Sequence, residues 1–337
     1  MNNSTIQHKH RSLFVILSVG LFLSILLSMF LGRYPKPGFT PIESIFSDQL
    51  AQTLILNIRL PRILTAVLLG MSLSIAGVVF QTVFSNPIVE PGFLGVSQGA
   101  AFGAAFGVVV LNNSGLLIQI AAIGFSFLGL LASFIISKGL KTENWTLRLI
   151  LSGIMISALF SAGLGVLKYT ADPLSELPEI TFWLLGGLWN ISWSNLLPVL
   201  PPVIASIIFL LAYRWRLNIL GLDEQIIFTS GISGQKEKLL ILFLAVLSVA
   251  PLISIVGIIN WIGLIIPHLS RRLFGGNTKI NLPGAMLLGA IFTVWCDTIG
   301  RVIAPGEIPL GILTSLFGAI GFILIMSSNH KQLRIEQ

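Results

Sequence analysis

Charge is scarce in this sequence. Asp, Glu, Lys and Arg together make up 10% of its 337 residues, against about 25% in soluble domains. Too little polar side chain is present to cover a water-soluble globule of this size. Cysteine is almost absent: Cys296 stands alone, which excludes an internal disulfide and any cysteine-based metal cluster. His8, His10, His268 and His330 are scattered without metal-ligand spacing. No acidic residue falls in the middle of an apolar run, which weighs against a proton- or sodium-coupled carrier, where a buried Asp or Glu is the usual working group. No Ser/His/acid set or paired carboxylates stand out in a loop. GISGQKEK at 231–238 lacks the spacing and the hydroxyl of a phosphate-binding loop, and no α/β pattern surrounds it. Nor is there a nucleic-acid motif.

What is abundant is apolar sequence. Hydrophobic residues are 54% of the chain, and the mean hydropathy is +0.92. A span needs about 20 apolar residues, so the chain has room for roughly ten. The runs predict an all-α polytopic membrane protein, a single transmembrane domain over 1–337, with spans near 13–32, 62–84, 93–111, 116–137, 147–168, 194–213, 238–257, 259–273, 281–300 and 309–327. The first run follows a basic start but is longer than a signal-peptide core and has no small-x-small cleavage site, so it reads as a retained span. The region 172–193 carries a short apolar piece, FWLLGGLWN, and Trp183, Trp189 and Trp193. It reads as a helix at the outer interface. Trp145, Trp215, Trp261 and Trp295 lie near span ends and read as belt residues.

Orientation follows from Lys and Arg. With the N-terminus inside, the outer side holds only Arg33, Lys36, Arg59, Arg62, Lys168 and Arg301 of the 20 basic residues. The asymmetry predicts both termini in the cytoplasm and an even number of spans. The net charge of +7 is then a topology signal. Spans two to five start outside and spans seven to ten start inside. Each set has a Gly/Pro-broken entry to its second helix, PIVEPGFLG at 87–95 and VGIINWIGLIIPH at 256–268. Matching breaks in two halves point to an inverted repeat of a transporter.

Span three carries Gly95, Gly99, Gly103 and Gly107, one helical stripe rising about 6 Å per step. In water each glycine costs about 1 kcal/mol relative to alanine. In a bilayer a small-residue stripe lets two helices pack backbone to backbone. The stripe predicts tight helix packing, with Glu90 in the turn before it kept near the cytoplasm.

The inner loop 214–238 is the longest hydrophilic one. Its centre mixes Leu220, Leu222, Ile226 and Ile227 with Asp223 and Glu224, bracketed by Gly221 and Gly231. It reads either as a solvated connector or as an amphipathic docking helix for a cytoplasmic partner. On the outer face, Arg59-Leu-Pro-Arg62 opens span two, with Pro61 suited to a first helical turn. Asp297 and Arg301, four apart, are placed to pair with each other, and Glu307 lies in the turn PGEIPLG. The arginines read as headgroup anchors or as a platform for an extracytoplasmic partner. His268 reads as structural.

Taken in order, RLPR (59–62), SNPIVEPGFLGVSQGAAFG (85–103), LRLILSG (147–153), FWLLGGL (182–188), IGLIIPHLSR (262–271) and PGEIPLG (305–311) resemble the permease subunits of bacterial metal-chelate ABC importers, the vitamin B12, siderophore and haem family. The resemblance covers about residues 13 to 327. It implies ten transmembrane helices in the bacterial inner membrane, a homodimer with its pathway at the interface, and alternating access. Two cytoplasmic ATP-binding subunits and one extracytoplasmic substrate-binding protein would be its partners, with ATP and Mg on the ATPase subunits and no cofactor or nucleic acid on this chain. By motif position it makes Leu220 to Gly234 the ATPase-coupling segment, Arg59 and Arg301 the binding-protein contacts, and Thr146-Leu147 the cytoplasmic gate, where Leu147 replaces a small polar residue. Asn260-Trp261 stands where many relatives have Gly-Phe. The wording is most similar to molybdate/tungstate importers of this architecture, with iron-siderophore, haem or cobalamin as the family's other substrates. The contrasting expectation is an ion-coupled secondary transporter needing no ATPase.

Overall fold

The computed structural model describes residues 3–34, 38–41, 48–111, 114–141, 145–222, 224–231 and 233–335. Long apolar runs become helices because, away from water, a backbone can satisfy its hydrogen bonds within one segment only as a helix. The chain opens with α1 (Asn3–Phe30), then a two-residue antiparallel ladder of β1 (Leu31–Gly32) with β2 (Gly38–Phe39). Next come α2 (Gln49–Thr53), a π-turn (Leu54–Arg59) and α3 (Leu60–Val83). A 3-10 turn, Pro91–Leu94, precedes α4 (Val96–Val110), followed by α5 (Gly115–Gly139), α6 (Trp145–Thr170), α7 (Glu176–Leu185) and α8 (Trp193–Ala212). Two short helices, α9 (Arg214–Leu220) and α10 (Glu224–Thr229), lead to α11 (Gly234–Val256), α12 (Ile262–Phe274), α13 (Thr278–Ile303) and α14 (Leu310–Ile335).

By length and composition, seven helices among the described residues can cross a membrane: α1, the α2–α3 unit, α5, α6, α8, α11 and α13. Two shorter apolar helices are Val96–Val110 and Leu310–Ile325. The apolar runs expected from the sequence each hold a helix. Two differences stand out. The helix expected from residue 62 belongs to a longer helical unit that begins at Gln49, because Pro61, in the first turn of α3, follows a π-turn and not a loop. The π-turn ahead of it widens the helix, and Leu60 N–H bonds to Ile55 O, so the missing proline donor is absorbed without a break. Asp48 starts this unit, its carboxylate accepting Leu50 N–H at 2.9 Å. The second difference is in FWLLGGLWN, where the helix stops at Leu185 and Gly186 takes φ +67°.

The core is organised on α3. Its most apolar window is 83% buried, against 11% for α1, so α3 is the axis and α1 the periphery. Helices α8, α11, α12 and α13 pack on it. Glycines allow this closeness. A Cβ on Gly70 would stand 2.2 Å from Gly289 O of α13, and one on Gly77 would stand 2.0 Å from Gly263 O of α12. A second apolar cluster joins α4, α5, α6 and α7 through Ala101, Ala105, Ile118, Ala122, Leu164 and Ile180.

Gly70→Leu, which forces α3 off α13, is expected to lower the melting temperature of the detergent-solubilised protein by several degrees, about 3 kcal/mol being the upper end usual for overpacking. Gly124→Ala, whose Cβ meets nothing within 4 Å, is expected to leave it unchanged. Equal melting curves for Gly70→Leu and wild type would contradict the packing argument.

Candidate functional site

Two interruptions of helix lie against one another. The first lies between α3 and α4. Asn86 Oδ1 accepts Ile88 N–H at 3.0 Å, Phe93 N–H bonds to Glu90 O at 3.0 Å, and Gly95 at φ +77° opens α4. The second lies between α11 and α12, with Gly257 at φ +82° and Trp261 at φ +76°. For Trp261 that conformation costs on the order of 1–3 kcal/mol. The two meet at Gly263, where a Cβ would lie 3.3 Å from Pro91 Cδ and 3.8 Å from Glu90 Cβ. The Glu90 carboxylate accepts the Trp261 backbone N–H, so an acidic residue of one break holds the strained residue of the other.

At 15 and 13 residues, α4 and α12 are about 20 Å long, short of the ~30 Å of a bilayer core. Backbone left open at such breaks needs partners inside the protein. The partners are present. Ser133 Oγ donates to Leu94 O at 3.1 Å. Gln81 Nε2 of α3 donates to Leu264 O at 3.2 Å, and Arg271 donates to Gln81 Oε1. Gly187 N–H bonds to Val256 O at 2.8 Å and Gly311 N–H to Gly186 O at 3.1 Å. The buried Gly186-Gly187-Leu188 turn is thus wedged between the second break and the start of α14, which is why the FWLLGGLWN helix ends early.

The glycine stripe faces α5. Added Cβ atoms would lie 2.3 Å from Phe125 O at Gly99, 2.4 Å from Ala121 O at Gly103 and 2.7 Å from Ile118 Cα at Gly107, while Gly129 of α5 packs on Gly95 O. Phe102, Phe125 and Phe160 close the rim where α4, α5 and α6 meet, with centroids 4.9–6.1 Å apart.

The segment Leu220 to Gly234 is anchored at its ends and exposed in its middle. Leu217 and Leu220 are buried. Gly221 packs on Thr82 at the end of α3, where a Cβ would stand 3.0 Å from Thr82 Cγ2, and its carbonyl accepts from Ser85 Oγ at 3.1 Å. Asn218 Oδ1 accepts Thr278 N–H at 2.9 Å, and Thr278 Oγ1 donates to Arg214 O. Ile227 is buried against Gly234, whereas Leu222, Ile226 and Phe228 point outward, Phe228 being 82% exposed. Gly231 takes φ +72°. Asp223 lies outside the described residues, and Glu224 begins α10. A groove of about 380 Å³ lies beside Ile227, Phe228, Gly234 and Lys238.

Thr146 and Leu147 form the first turn of α6, with Leu147 45% exposed. The residue before them corrects a sequence expectation. Trp145 is not a belt residue: it is 5% exposed, stacked on Phe84 at 6.3 Å, with Lys238 Nζ 5.4 Å from its ring. The chain of contacts Gly221–Ser85–Phe84–Trp145 therefore joins the inner segment to the start of α6. Sequence reasoning missed it because a tryptophan at a span end has the same signature at a membrane surface and in a core.

The outer arginines are buried. Arg59 Nη1 donates to Met29 O at 2.9 Å and to Thr40 Oγ1 at 3.0 Å. Arg301 Nη2 donates to Ser28 O at 2.6 Å. Both cap the last-turn carbonyls of α1, a favourable place for cations, and Gly32 of the small hairpin packs directly on Arg59. Nor does Asp297 pair with Arg301 as its spacing predicts. Arg62 takes it instead, Nη2 lying 2.8 Å from Oδ1 and Nε 2.9 and 3.1 Å from the two oxygens, with Nη1 2.8 Å from Glu307. The close approach of α3 and α13 puts Arg62 nearer than a same-helix partner. Tyr34 Oη donates to Asp48 at 2.6 Å, and that bond holds the Asp48 carboxyl below the usual carboxylate range. His268 bonds Leu264 O and meets Phe322 edge-on. Among the described residues there is no His/Cys/Asp/Glu group able to hold a metal.

Compared with known proteins, residues 20–328 match the model of the FecCD transport family. The chain belongs to the FecCD transport family. It is 38% identical over 311 residues to the molybdate import system permease protein MolB of Haemophilus influenzae, covering 90% of this chain and 91% of that one. It is 34% identical over 287 residues to the hemin transport system permease protein HmuU of Yersinia pestis, covering 82% and 84%. Among solved structures it is similar, at a TM-score of 0.87 and 37% identity over 94% of this chain and 99% of the other, to one described as an inward-facing conformation of a metal-chelate type ABC transporter. This FecCD-family chain is a multi-pass ABC importer permease of metal-chelate type.

Because Arg62 and Asp297 are buried together, with the half-exposed Glu307 beside them, Arg62→Ala is expected to cost about 3–5 kcal/mol, mainly by leaving the Asp297 carboxylate uncompensated. The triple variant Arg62→Met, Asp297→Leu, Glu307→Gln is expected to recover most of that loss. Thermal unfolding in detergent reads both. A triple variant no more stable than Arg62→Ala would contradict the assignment.

Proposed function

We propose that this chain is the membrane half of an ATP-driven importer of molybdate or tungstate, moving substrate by alternating access along the interface of a homodimer. The observation that carries the mechanism is the anchored, outward-facing segment Leu220 to Gly234, linked through Ser85, Phe84 and Trp145 to the first turn of α6. A cytoplasmic ATPase would grip Leu222, Ile226 and Phe228, apolar groups exposed beyond the helices. Its motion would reach Thr146 and Leu147 through that chain of contacts. The ATPase subunits, not this chain, would carry ATP and Mg. Molybdate or tungstate as substrate is supported by the similarity to MolB, ahead of the hemin relative.

The arrangement in the bacterial inner membrane follows the same reading. Ten spans result if α4, α12 and α14 cross with their breaks, placing both termini in the cytoplasm and making the two breaks equivalent parts of an inverted repeat. Helix α6 supports a homodimer interface: Ala158, Ser161, Ala162 and Gly165 line one exposed face, and a Cβ on Gly165 would meet nothing within 4 Å. Small residues at this spacing let a second helix approach closely. The region 172–193 and the hairpin over Arg59 and Arg301 would form the outer surface that receives a substrate-binding protein. Acidic groups of that protein could reach these arginines only if the hairpin lifts.

Proteoliposomes holding this chain with its ATPase and binding protein test the reading. Wild type is expected to take up molybdate, and not a ferric chelate, only with ATP. Gly221→Pro, which removes the 3.1 Å bond to Leu217 O and intrudes on Thr82, is expected to abolish uptake with membrane insertion intact. Arg59→Glu with Arg301→Glu is expected to weaken retention of the binding protein. Uptake of the chelate instead of molybdate would overturn the substrate. Full uptake by Gly221→Pro would overturn the coupling role, and unchanged retention would overturn the docking role.

A further inference from the structure

A second surface is built for a ligand that the transport reading does not use. An open groove of about 510 Å³ runs between α5 and α11, walled by Phe127, Leu130, Leu131, Phe134, Leu240 and Phe243. Phe127 and Phe243, with centroids 5.1 Å apart, tie the two helices together at one end. From that pair to Phe134 and Lys236 each helix advances seven residues, about 10 Å. At the far end the chemistry changes sign. Lys236 borders the groove, and Lys138 holds its Nζ 4.6 Å from the centroid of Phe134, a wall residue. Both lysines are exposed. The groove is apolar along its length and basic at one mouth. Leu131, Leu240 and Phe243, on its walls, are 43–55% exposed, so the surface is open from the side.

We propose that this groove holds one anionic phospholipid. An acyl chain would lie against Leu131, Leu240 and Phe243, and the phosphate would sit between Lys138 and Lys236. Long apolar contact with two lysines toward one end is the complement of such a lipid: the apolar walls do not suit a free phosphate, and the lysines favour an anionic over a zwitterionic lipid. Each lysine near an anionic headgroup contributes about fivefold in affinity. The position gives the lipid a consequence. Lys236 also borders the groove beside Ile227, Phe228 and Gly234, so a bound headgroup touches the segment proposed to meet the ATPase. Lipid binding in the groove does not depend on that role.

Native mass spectrometry of the full-length protein, titrated with phosphatidylglycerol or with phosphatidylcholine of the same acyl chains, reads the site directly. Wild type is expected to retain one phosphatidylglycerol at least tenfold more tightly than phosphatidylcholine. Lys138→Gln with Lys236→Gln is expected to erase the preference, and Leu240→Trp, which fills the groove from an exposed position, to abolish retention of both lipids. Inorganic phosphate at millimolar concentration is expected not to compete. Equal retention of the two lipids by wild type, a preference that survives the double lysine substitution, undiminished binding by Leu240→Trp, or displacement by phosphate would each overturn the proposal.

Discussion

Contact of backbone with backbone along α3 is the constraint on which the rest of this molecule depends. In a medium without water, helices gain little from hiding apolar side chains from one another, and packing distance becomes the main lever. Gly70 against Gly289 and Gly77 against Gly263 bring α13 and α12 to within a glycine's width of α3. That closeness brings Arg62 to Asp297 at one end of the helix and Gln81 to the Leu264 carbonyl near the other. Without it, Gln81 would not reach the start of α12, and Arg62 would lose Asp297.

The two breaks show how irregular backbone survives in such an interior. Each is braced by the other and by side chains from regular helices: Ser133, Gln81 and Glu90 each take one group that the interrupted helix leaves open. The positive φ of Trp261 is held in place by this bracing. A chain braced in this way has few cheap deformations.

The membrane class and the positions of the helices were legible because apolar runs and scarce charge have no other reading. The glycine stripe of α4 was legible as a packing face, but its partner was not: Phe125, Ala121 and Ile118 offer mainly backbone, which leaves no mark in a sequence. The same blindness explains the outer arginines. A basic residue at a helix mouth looks alike whether it waits for a protein partner or caps the carbonyls of Ser28 and Met29, 30 or more residues away. Pro61 misplaced the start of the second span because a first-turn proline after a loop and one after a π-turn are the same letter. The Gly221–Ser85–Phe84–Trp145 connection joins three separate stretches and became visible only when they were folded together.

Under the proposed function, nucleotide on the ATPase moves the start of α6 through that connection. The most direct measurement is the distance between spin labels at Leu147 in the two protomers of the assembled transporter in nanodiscs, with and without ATP. The account predicts a shift of the distance distribution on ATP binding, and its loss when Trp145 is replaced by alanine. An unchanged distance in the wild-type complex, or a full shift without Trp145, would contradict it.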